Sequence, residues 1–432
     1  MTFDTGDTAF MLIATSLVML MTPGLAFFYG GLVGRKNVLT IMIQSFVSMA
    51  IVDILWFTVG FSLSFSGGAG GVYGDFHYAF MQNMGPGTPF AGDPSIPLYA
   101  FFVYQMMFAI ITPALISGAF TNRVSFKAYI IFLVAWSLFV YIPFVHMIWG
   151  GGLLATWGVR DFAGGIVVHT LAGFAALAAV FFVGARRIKD SAPHNVPLVA
   201  LGTGLLWFGW YGFNAGSELT VDTVTVTAFI NTDLAASVAA TVWLAMAWIF
   251  EKKPKFLGLL TGAVAGLAMI TPCAGYISPG ASMVVGVLAG TVCYGAIWLK
   301  NRRGWDDALD VWGVHGIGGA VGAIALGVFA NAAFNHPGVG PNGLLLGDTH
   351  FFAAQVAATA IGIVWAVGFT YAMLWIIDKI TPVRVSSSVE EMGLDESIHG
   401  ELAYVDGMEE PTAPPSARRD PEGSAKKGPT AN

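Results

Sequence analysis

Long apolar stretches alternate with short polar loops along most of the chain. Eleven of them reach about 20 residues, enough as helices to cross a hydrocarbon core of roughly 30 Å. Backbone groups find no water in a bilayer, so a spanning segment must be a helix or part of a closed barrel. The stretches lack the strict alternation of strands, which predicts helices. The predicted spans are 8–33, 39–65, 98–120, 128–148, 162–185, 196–217, 226–250, 256–276, 280–299, 311–333 and 350–378.

Composition agrees with a polytopic all-α membrane protein. Of the 432 residues 56% are hydrophobic and only 11% are charged, whereas soluble proteins carry roughly 25% charged residues. A net charge of −6 gives no indication of a nucleic-acid partner. The two cysteines, Cys273 and Cys293, fit neither a disulfide framework nor metal-ligand spacing. We expect no cofactor, no metal and no nucleic acid. The first apolar run follows no basic region and is too long for a signal peptide, so we expect it to be retained.

Basic residues in the loops predict the orientation. Fifteen Lys and Arg residues fall in loops on one side of the predicted spans, and Arg160 alone falls on the other. Because cytoplasmic loops carry the excess of basic residues, the N-terminus is predicted outside and the C-terminus in the cytoplasm. This is a multi-pass arrangement in the cell membrane.

The chain divides into three predicted parts. Residues 1–385 hold the spans and form the transmembrane domain. Residues 386–404 are polar and acidic and read as an amphipathic cytoplasmic regulatory tail. Residues 405–432 are rich in Pro, Ser, Lys and Glu with few apolar residues, a composition that predicts disorder.

Two predicted spans each combine an aspartate with a histidine. Asp161 precedes His169 in the fifth span, and Asp310 precedes His315 in the tenth. Odd span counts with a central site often arise from inverted repeats of five helices, so we expect a 5+5 inverted repeat plus a final helix. The fifth span then starts from outside and the tenth from inside, which predicts that the two histidines approach each other near the middle of the membrane.

Two neutral imidazoles in contact have specific chemistry. Each ring offers one donor and one acceptor nitrogen, so the pair can share one hydrogen and present a lone pair or an N–H to a passing solute. Ionisable groups at membrane depth usually mark a pathway. The pair suits a small neutral hydrogen-bonding solute, a proton relay, or both. Ordinary packing histidines remain the alternative.

Six motifs together resemble the ammonium transporter family, the Amt branch of the Amt/Rh superfamily. The resemblance runs from about residue 8 to 404 and implies a homotrimer with one pore in each protomer. The motifs are DFAGGIVVH at 161–169, HMIWGGG at 146–152, WYGFNAGS at 210–217, ITPCAGY at 270–276, GVHGIGG at 313–319 and GLDESIHGELAY at 393–404.

The resemblance implies an outer site that recruits ammonium. Trp149 and Ser217 look like its binding residues, and Phe108, with Tyr104 one turn earlier, looks like its aromatic floor. Phe108 and Phe213 look like the gate below it. Tyr104 stands where relatives often have phenylalanine, which makes this site more polar than the family pattern.

Further along the pore, His169 and His315 look like the family's twin histidines, with Trp210 beside them. Asp161 looks like the acid that acts through structure and field and not by contact. Asp310 is expected to play the matching part in the second half. The resemblance further implies that the tail at 386–404 couples the transporter to trimeric PII-type signalling proteins.

We therefore expect an electrogenic ammonium transporter and not an enzyme, since no catalytic motif such as HExxH is present. Ammonium would be recruited outside and deprotonated, ammonia would pass the histidines, and the proton would cross separately. Two alternatives stay open: an ammonium sensor acting through a partner protein, and an Rh-type channel for ammonia or carbon dioxide. Asp53 is expected to face another helix or subunit, His146 to bond across helices, and His336 to be solvated.

Overall fold

The computed structural model describes residues 3–68, 70–189, 192–336 and 340–404. Within these ranges the regular structure is helical, apart from two isolated β-bridges. The predicted disordered segment 405–432 lies outside the described residues. The main helices are α1 (Thr5–Leu32), α2 (38–65), α3 (Leu98–Phe120), α4 (126–148), α5 (Gly165–Val183), α6 (Val196–Ala215), α7 (Thr223–Glu251), α8 (Phe256–Ile270), α9 (Pro279–Arg303), α10 (Trp312–Phe329), α11 (Thr349–Ile380) and the short α12 (Ser387–Met392).

Ten helices in the described residues are long and apolar enough to cross a membrane. They match ten of the eleven predicted spans. The exception is the span predicted at 256–276, where α8 has only 15 residues and ends at Ile270. At 1.5 Å per residue α8 measures about 22 Å, short of the roughly 30 Å core. Residues 271–276 form turns instead, because Pro272 has no N–H to continue a helix.

The helix starts follow from local capping chemistry. Asp222 caps α7 through Oδ1, which accepts from the backbone N–H groups of Val224 and Thr225. Asp348 caps α11 and Ser278 caps α9 in the same way. Each side-chain oxygen satisfies a donor that the first turn would otherwise leave unpaired.

The loops gather on two opposite faces of the bundle. We call the face where the chain begins the N face; there Asp4 N–H donates to Ser95 O at 2.9 Å, and Phe162 N–H donates to Pro272 O at 3.2 Å. We call the face where α11 ends the C face. Its loops also bond to one another, for example through Ala308 N–H and Ala119 O.

The predicted tail folds back onto the C face. Asp395 is buried and accepts from the backbone N–H groups of Leu39 and Thr40, at 2.9 and 2.7 Å, in the first turn of α2. Leu394 N–H donates to the side chain of Asn37. The carboxylate of Glu390 accepts from Arg384. Residues 386–404 are therefore held by specific polar contacts.

Candidate functional site

Asp161 organises the start of α5. Its Oδ1 accepts from the backbone N–H groups of Gly164 and Gly165, and its Oδ2 from those of Ile166 and Val167, at 2.6–3.0 Å. The first N–H groups of a helix have no partner within the helix, and a negative charge there interacts favourably with the helix dipole. Both carboxylate oxygens therefore accept hydrogen bonds from the backbone. The buried side chain stabilises the turn that carries His169.

The matching acid in the second half is Asp307. Its carboxylate accepts from Val311 N–H at 3.1 Å and Trp312 N–H at 2.8 Å, at the start of α10. It lies eight residues before His315, the same spacing that separates Asp161 from His169. Asp310, which we predicted for this place, points instead to Lys300, with which it forms an ion pair.

Glycines let α5 and α10 approach each other closely. A Cβ on Gly173 would lie 2.0 Å from Gly316 N, and one on Gly319 would lie 2.7 Å from His169 Cβ. No larger residue fits at either position without moving a backbone. This near contact of two backbones brings the side chains of His169 and His315 together.

The two predicted histidines meet as buried neighbours. His169 Nδ1 lies 3.2 Å from His315 Nδ1, and the ring centroids are 5.2 Å apart at an interplanar angle of 21°. Both sit in π-helical turns, a feature that is frequent at functional sites. His169 Nε2 is buried without a hydrogen-bond partner among the described residues. Trp210 stacks on His169 at 5.4 Å and donates Nε1–H to Thr271.

Three cavities lie between the N face and the C face of the bundle. A cavity of about 240 Å³ opens at the N face and is lined in part by Trp149 and Ser217. A cavity of about 520 Å³ opens at the C face and reaches His315. Between them, the space beside the two histidines measures only about 10 Å³. A single water needs a cavity of roughly 10–15 Å³ on this measure, so the histidines line a constriction of about one small molecule.

Two phenylalanines lie between Trp149, which lines the N-face cavity, and His169. Phe108 and Phe213 are stacked, with ring centroids 4.2 Å apart. The ring of Phe108 also meets Trp149 edge-on at 6.0 Å. Both side chains are buried.

The predicted recruitment residues differ in how close they lie to the N-face cavity. Trp149 and Ser217 line it, and Trp149 is fixed by a 2.7 Å hydrogen bond from Nε1 to Asp161 O. Tyr104 lies beneath, with its hydroxyl 3.2 Å from Ser217 Oγ and near the carbonyls of Gly212 and Phe213. Because Ser217 Oγ–H can donate to Phe213 O, its lone pairs stay available to a donor in the cavity.

Three other predictions concern single residues. Asp53 is half-buried on α2, and its Oδ1 has no hydrogen-bond partner among the described residues. His146 is buried and its Nδ1 lies 3.1 Å from Ser64 O on another helix, which confirms the predicted bond across helices. The ring of His336 is half-exposed and contacts Glu218.

Charged residues ring the C-face cavity. Burial alone would raise the pKa of Asp306, but hydrogen bonds from Arg186 and the charge of Arg123 lower it to about 2. Burial raises the pKa of Asp307 to about 6, and the charge of Lys300 offsets part of that rise. Neighbouring acids therefore have opposite pKa shifts, because the arginines contact only Asp306 directly.

Comparison with known proteins agrees with this architecture. The sequence profile of the Ammonium Transporter Family matches residues 9–404. The ammonium transporter of Bacillus subtilis is 44% identical over 407 residues, which is 93% of this chain and 99% of that protein. The ammonium transporter Amt1 of Archaeoglobus fulgidus is 41% identical over 92% of this chain and 99% of its own length.

Solved structures show the same fold. Mep2 of Candida albicans superposes with a TM-score of 0.84 at 32% identity, over 90% of this chain and 88% of its own. A protein named Sensor Amt Protein superposes with a TM-score of 0.82 at 28% identity, over 90% and 97% of the two chains. The chain is thus a multi-pass membrane protein that belongs to the ammonium transporter family.

Proposed function

We propose that this transporter recruits ammonium in the N-face cavity, deprotonates it near Phe108 and Phe213, and conducts ammonia past His169 and His315. The proton crosses separately along the two imidazoles, so that uptake is electrogenic. The observation that carries the proposal is the 3.2 Å contact between the two Nδ1 atoms inside a constriction of about 10 Å³.

The recruitment step follows from the chemistry of the cavity lining. Ammonium offers four N–H donors, and the Ser217 hydroxyl has lone pairs to accept one. The indole of Trp149 presents a π-face, and a cation–π contact contributes about 0.5–2 kcal/mol. Phe101 adds a further aromatic ring to the lining.

The deprotonation step follows from the narrowness of the path. Removing an ion from water into a low-dielectric interior costs on the order of 20 kcal/mol in the Born limit. Aromatic contacts cannot offset that cost. Neutral ammonia has about the size of water and fits the space beside His169 and His315.

The geometry of the pair suits a proton relay. If His169 Nδ1–H donates to His315 Nδ1, then His169 Nε2 is a lone pair and His315 Nε2 carries a hydrogen. A proton taken up at His169 Nε2, transfer of the shared hydrogen, and loss of a proton from His315 Nε2 move one charge across the pair. The two cavities deliver and accept the proton at opposite ends.

The test is current measured on a solid-supported membrane with reconstituted protein. We expect the ammonium current of the double variant His169→Ala/His315→Ala to fall at least about tenfold, a barrier increase of about 1.4 kcal/mol or more. His350→Ala, at an exposed histidine on the N face, is the matched control and should retain the current. An unchanged current in the double variant would show the relay to be wrong.

The same preparation separates the two alternatives. Tight ammonium binding without any current would favour a sensor, the activity named for one structural neighbour. A response to carbon dioxide equal to that for ammonium would favour an Rh-type gas channel. Trp149→Leu should weaken the response to ammonium in the transporter that we propose, because it removes the π-face from the cavity.

We also propose that the N face is outside and the C face cytoplasmic. Support comes from the 15 basic residues in loops assigned to one side, with only Arg160 opposite. The ten crossing helices, with α8, then form two inverted sets of five and a final helix. Labelling of single cysteines introduced at the exposed positions Leu345 on the N face and Leu402 on the C face, by an impermeant reagent on intact cells, would test this. Labelling of Leu402→Cys alone would contradict it.

We further propose that the protein is a homotrimer. Asp233 lies partly buried within α7 and accepts from Tyr211 at 2.6 Å, beside the exposed apolar side chains of Phe229 and Ile230. An acid on a lipid-facing surface is costly, which favours coverage of this surface by another copy. Light scattering of the purified protein should give three chains per particle, and a monomer would contradict the proposal.

The docked tail at 386–404 is the proposed contact for a PII-type protein at the C face. The hydroxyl of Tyr404 lies 3.0 Å from His194 Nε2, and the neighbouring Pro193 lines the C-face cavity, so the tail lies beside this cavity. Recovery of PII protein from cell extract should fall when residues 386–404 are deleted. Equal recovery with and without them would argue against the tail.

A further inference from the structure

Three metal-ligating side chains converge on the N face, beside the cavity. Glu218 directly follows Ser217, Asp222 caps α7, and His336 comes from the loop after α10. One ligand atom from each lies within 4.8 Å of the other two. The fold brings His336 to Glu218 and Asp222 from more than a hundred residues away in the sequence.

Glu218 is the most enclosed of the three. Its side chain is 9% exposed, and its Oε1 lies 2.7 Å from His336 Nε2. In the described ranges, His336 is the one side chain that forms a hydrogen bond or ion pair with this carboxylate. Buried carboxylates are normally paired with a positive charge or coordinate a metal, and histidine is itself a common metal ligand.

The carboxylate of Asp222 is held in place by hydrogen bonds to one of its two oxygens. Its Oδ1 accepts from two backbone N–H groups and from Thr225 Oγ1 in the first turn of α7. No described residue donates to its Oδ2. The helix cap therefore orients the carboxylate and leaves the second oxygen for a ligand.

The surrounding charge favours a cation. Asp93 lies close enough to interact electrostatically with Glu218, and Asp7 accepts from Val221 N–H in the same loop. Arg160 is the one basic residue that the sequence assigns to the loops of this face.

We propose that Glu218, Asp222 and His336 form a binding site for a divalent transition-metal ion of the zinc class. Imidazole suits zinc, copper and nickel, whereas calcium and magnesium prefer oxygen ligands alone. Zinc binds imidazole and carboxylate at about 2.0–2.2 Å, so the ligand atoms must move closer. His336 is the ligand that moves, because its ring is 52% exposed while the two acids are held by the fold.

The position of the site connects it to ammonium recruitment. Ser217 and Leu219 flank Glu218 and both line the N-face cavity. A dication at Glu218 places positive charge beside this cavity and repels an incoming ammonium ion. Metal occupancy therefore opposes recruitment. This consequence rests on the proposed function, whereas the metal site does not.

Calorimetric titration of Zn²⁺ into chelator-treated, purified full-length protein tests the site directly. We expect one saturable site per chain in the wild type. Loss of a ligand in His336→Ala or Glu218→Gln should weaken binding at least about tenfold, or about 1.4 kcal/mol. His350→Ala, at an exposed histidine of the same face, should bind like the wild type. No saturable binding, or equal binding by His336→Ala, would overturn the proposal.

Ammonium currents then test the connection to the pore. Zn²⁺ should lower the current of the wild type and have at least about tenfold less potency on His336→Ala. Equal inhibition of both would show that the effect comes from elsewhere. Because Zn²⁺ binding is measured without transport, failure of the metal site and failure of the proposed transport mechanism give different results.

Discussion

Asp161 and Asp307 each lie eight residues before a buried histidine, and each carboxylate accepts from the backbone that opens the following helix. Their surroundings differ. Asp161 accepts four backbone N–H groups. Asp307 accepts two, and its own carbonyl accepts from the ammonium group of Lys300 at 2.7 Å. The carboxylate of the N-face half is thus held by backbone N–H groups only, and the carbonyl of Asp161 accepts from the neutral indole of Trp149. The C-face half has fewer backbone bonds and a charged partner, Lys300.

The largest effect is expected from removing the two carboxylates in turn. Asp161→Ala leaves four buried N–H groups without an acceptor, at about 1–3 kcal/mol each. Asp307→Ala leaves two. We expect Asp161→Ala to abolish the ammonium current and lower the melting temperature more than Asp307→Ala, measured by tryptophan fluorescence in detergent. An equal or larger fall in the melting temperature of Asp307→Ala would contradict this prediction.

A smaller effect is expected where the two halves touch. Gly173→Ala places a Cβ 2.0 Å from Gly316 N, which must push α5 and α10 apart and lengthen the contact between the histidines. Overpacking of this kind costs about 1–3 kcal/mol. We expect a reduced ammonium current in reconstituted protein.

Gly204→Ala is the matched control for that variant. Gly204 is also helical, and a Cβ there meets nothing within 4 Å. Its stability should rise slightly, by up to about 1 kcal/mol. If Gly173→Ala behaved like Gly204→Ala, close helix contact would not be what positions His169 and His315.

The smallest effect concerns pH and Asp307. Burial raises its pKa to about 6, above the usual value near 3.9, so the folded protein binds a proton more tightly than the unfolded chain. Stability contributed by this group is present at low pH and is lost as the pH rises from about 4 to about 6. Asp306, with a pKa of about 2, acts in the opposite direction between about pH 4 and 2.

Melting temperatures between pH 4.5 and 7 measure that difference. The wild type should lose stability over this range more steeply than Asp307→Asn, whose amide does not titrate. Asp306→Asn should leave the slope in this range unchanged. A slope for Asp307→Asn as steep as that of the wild type would contradict the assignment.

Much of the architecture was predictable because membrane helices have a strong sequence signal. Eleven spans were predicted from apolar length alone, and ten of them match helices in the described residues that are long enough to cross a membrane. The meeting of His169 and His315 was predicted from the repeated acid and histidine in oppositely entering spans, and the structure confirms their contact.

The acid of the second half was assigned to the wrong aspartate. Three aspartates, Asp306, Asp307 and Asp310, precede His315 within nine residues, and the nearest was chosen. Requiring the spacing of eight seen between Asp161 and His169 would have selected Asp307. The signal was therefore present in the sequence.

Other features could not be predicted, because they depend on distant residues meeting in space. Gly173 and Gly316 are well separated in sequence, and the sequence does not reveal that these two glycines touch. Glu218 and His336 are separated by 118 positions. The early end of α8 depended on how far turns extend beyond Pro272, which apolar composition does not reveal.

The contact between Asp395 and α2 has a consequence for biogenesis. The first turn of α2 receives no hydrogen bond from its own N-cap side chain, that of Asn37, which bonds instead to Leu394. The acceptor for Leu39 and Thr40 is supplied more than 350 residues later in the chain. During synthesis these two N–H groups therefore lack their folded-state acceptor until residue 395 has been made. A nascent chain that stops short of residue 395 therefore lacks the acceptor for the first turn of α2.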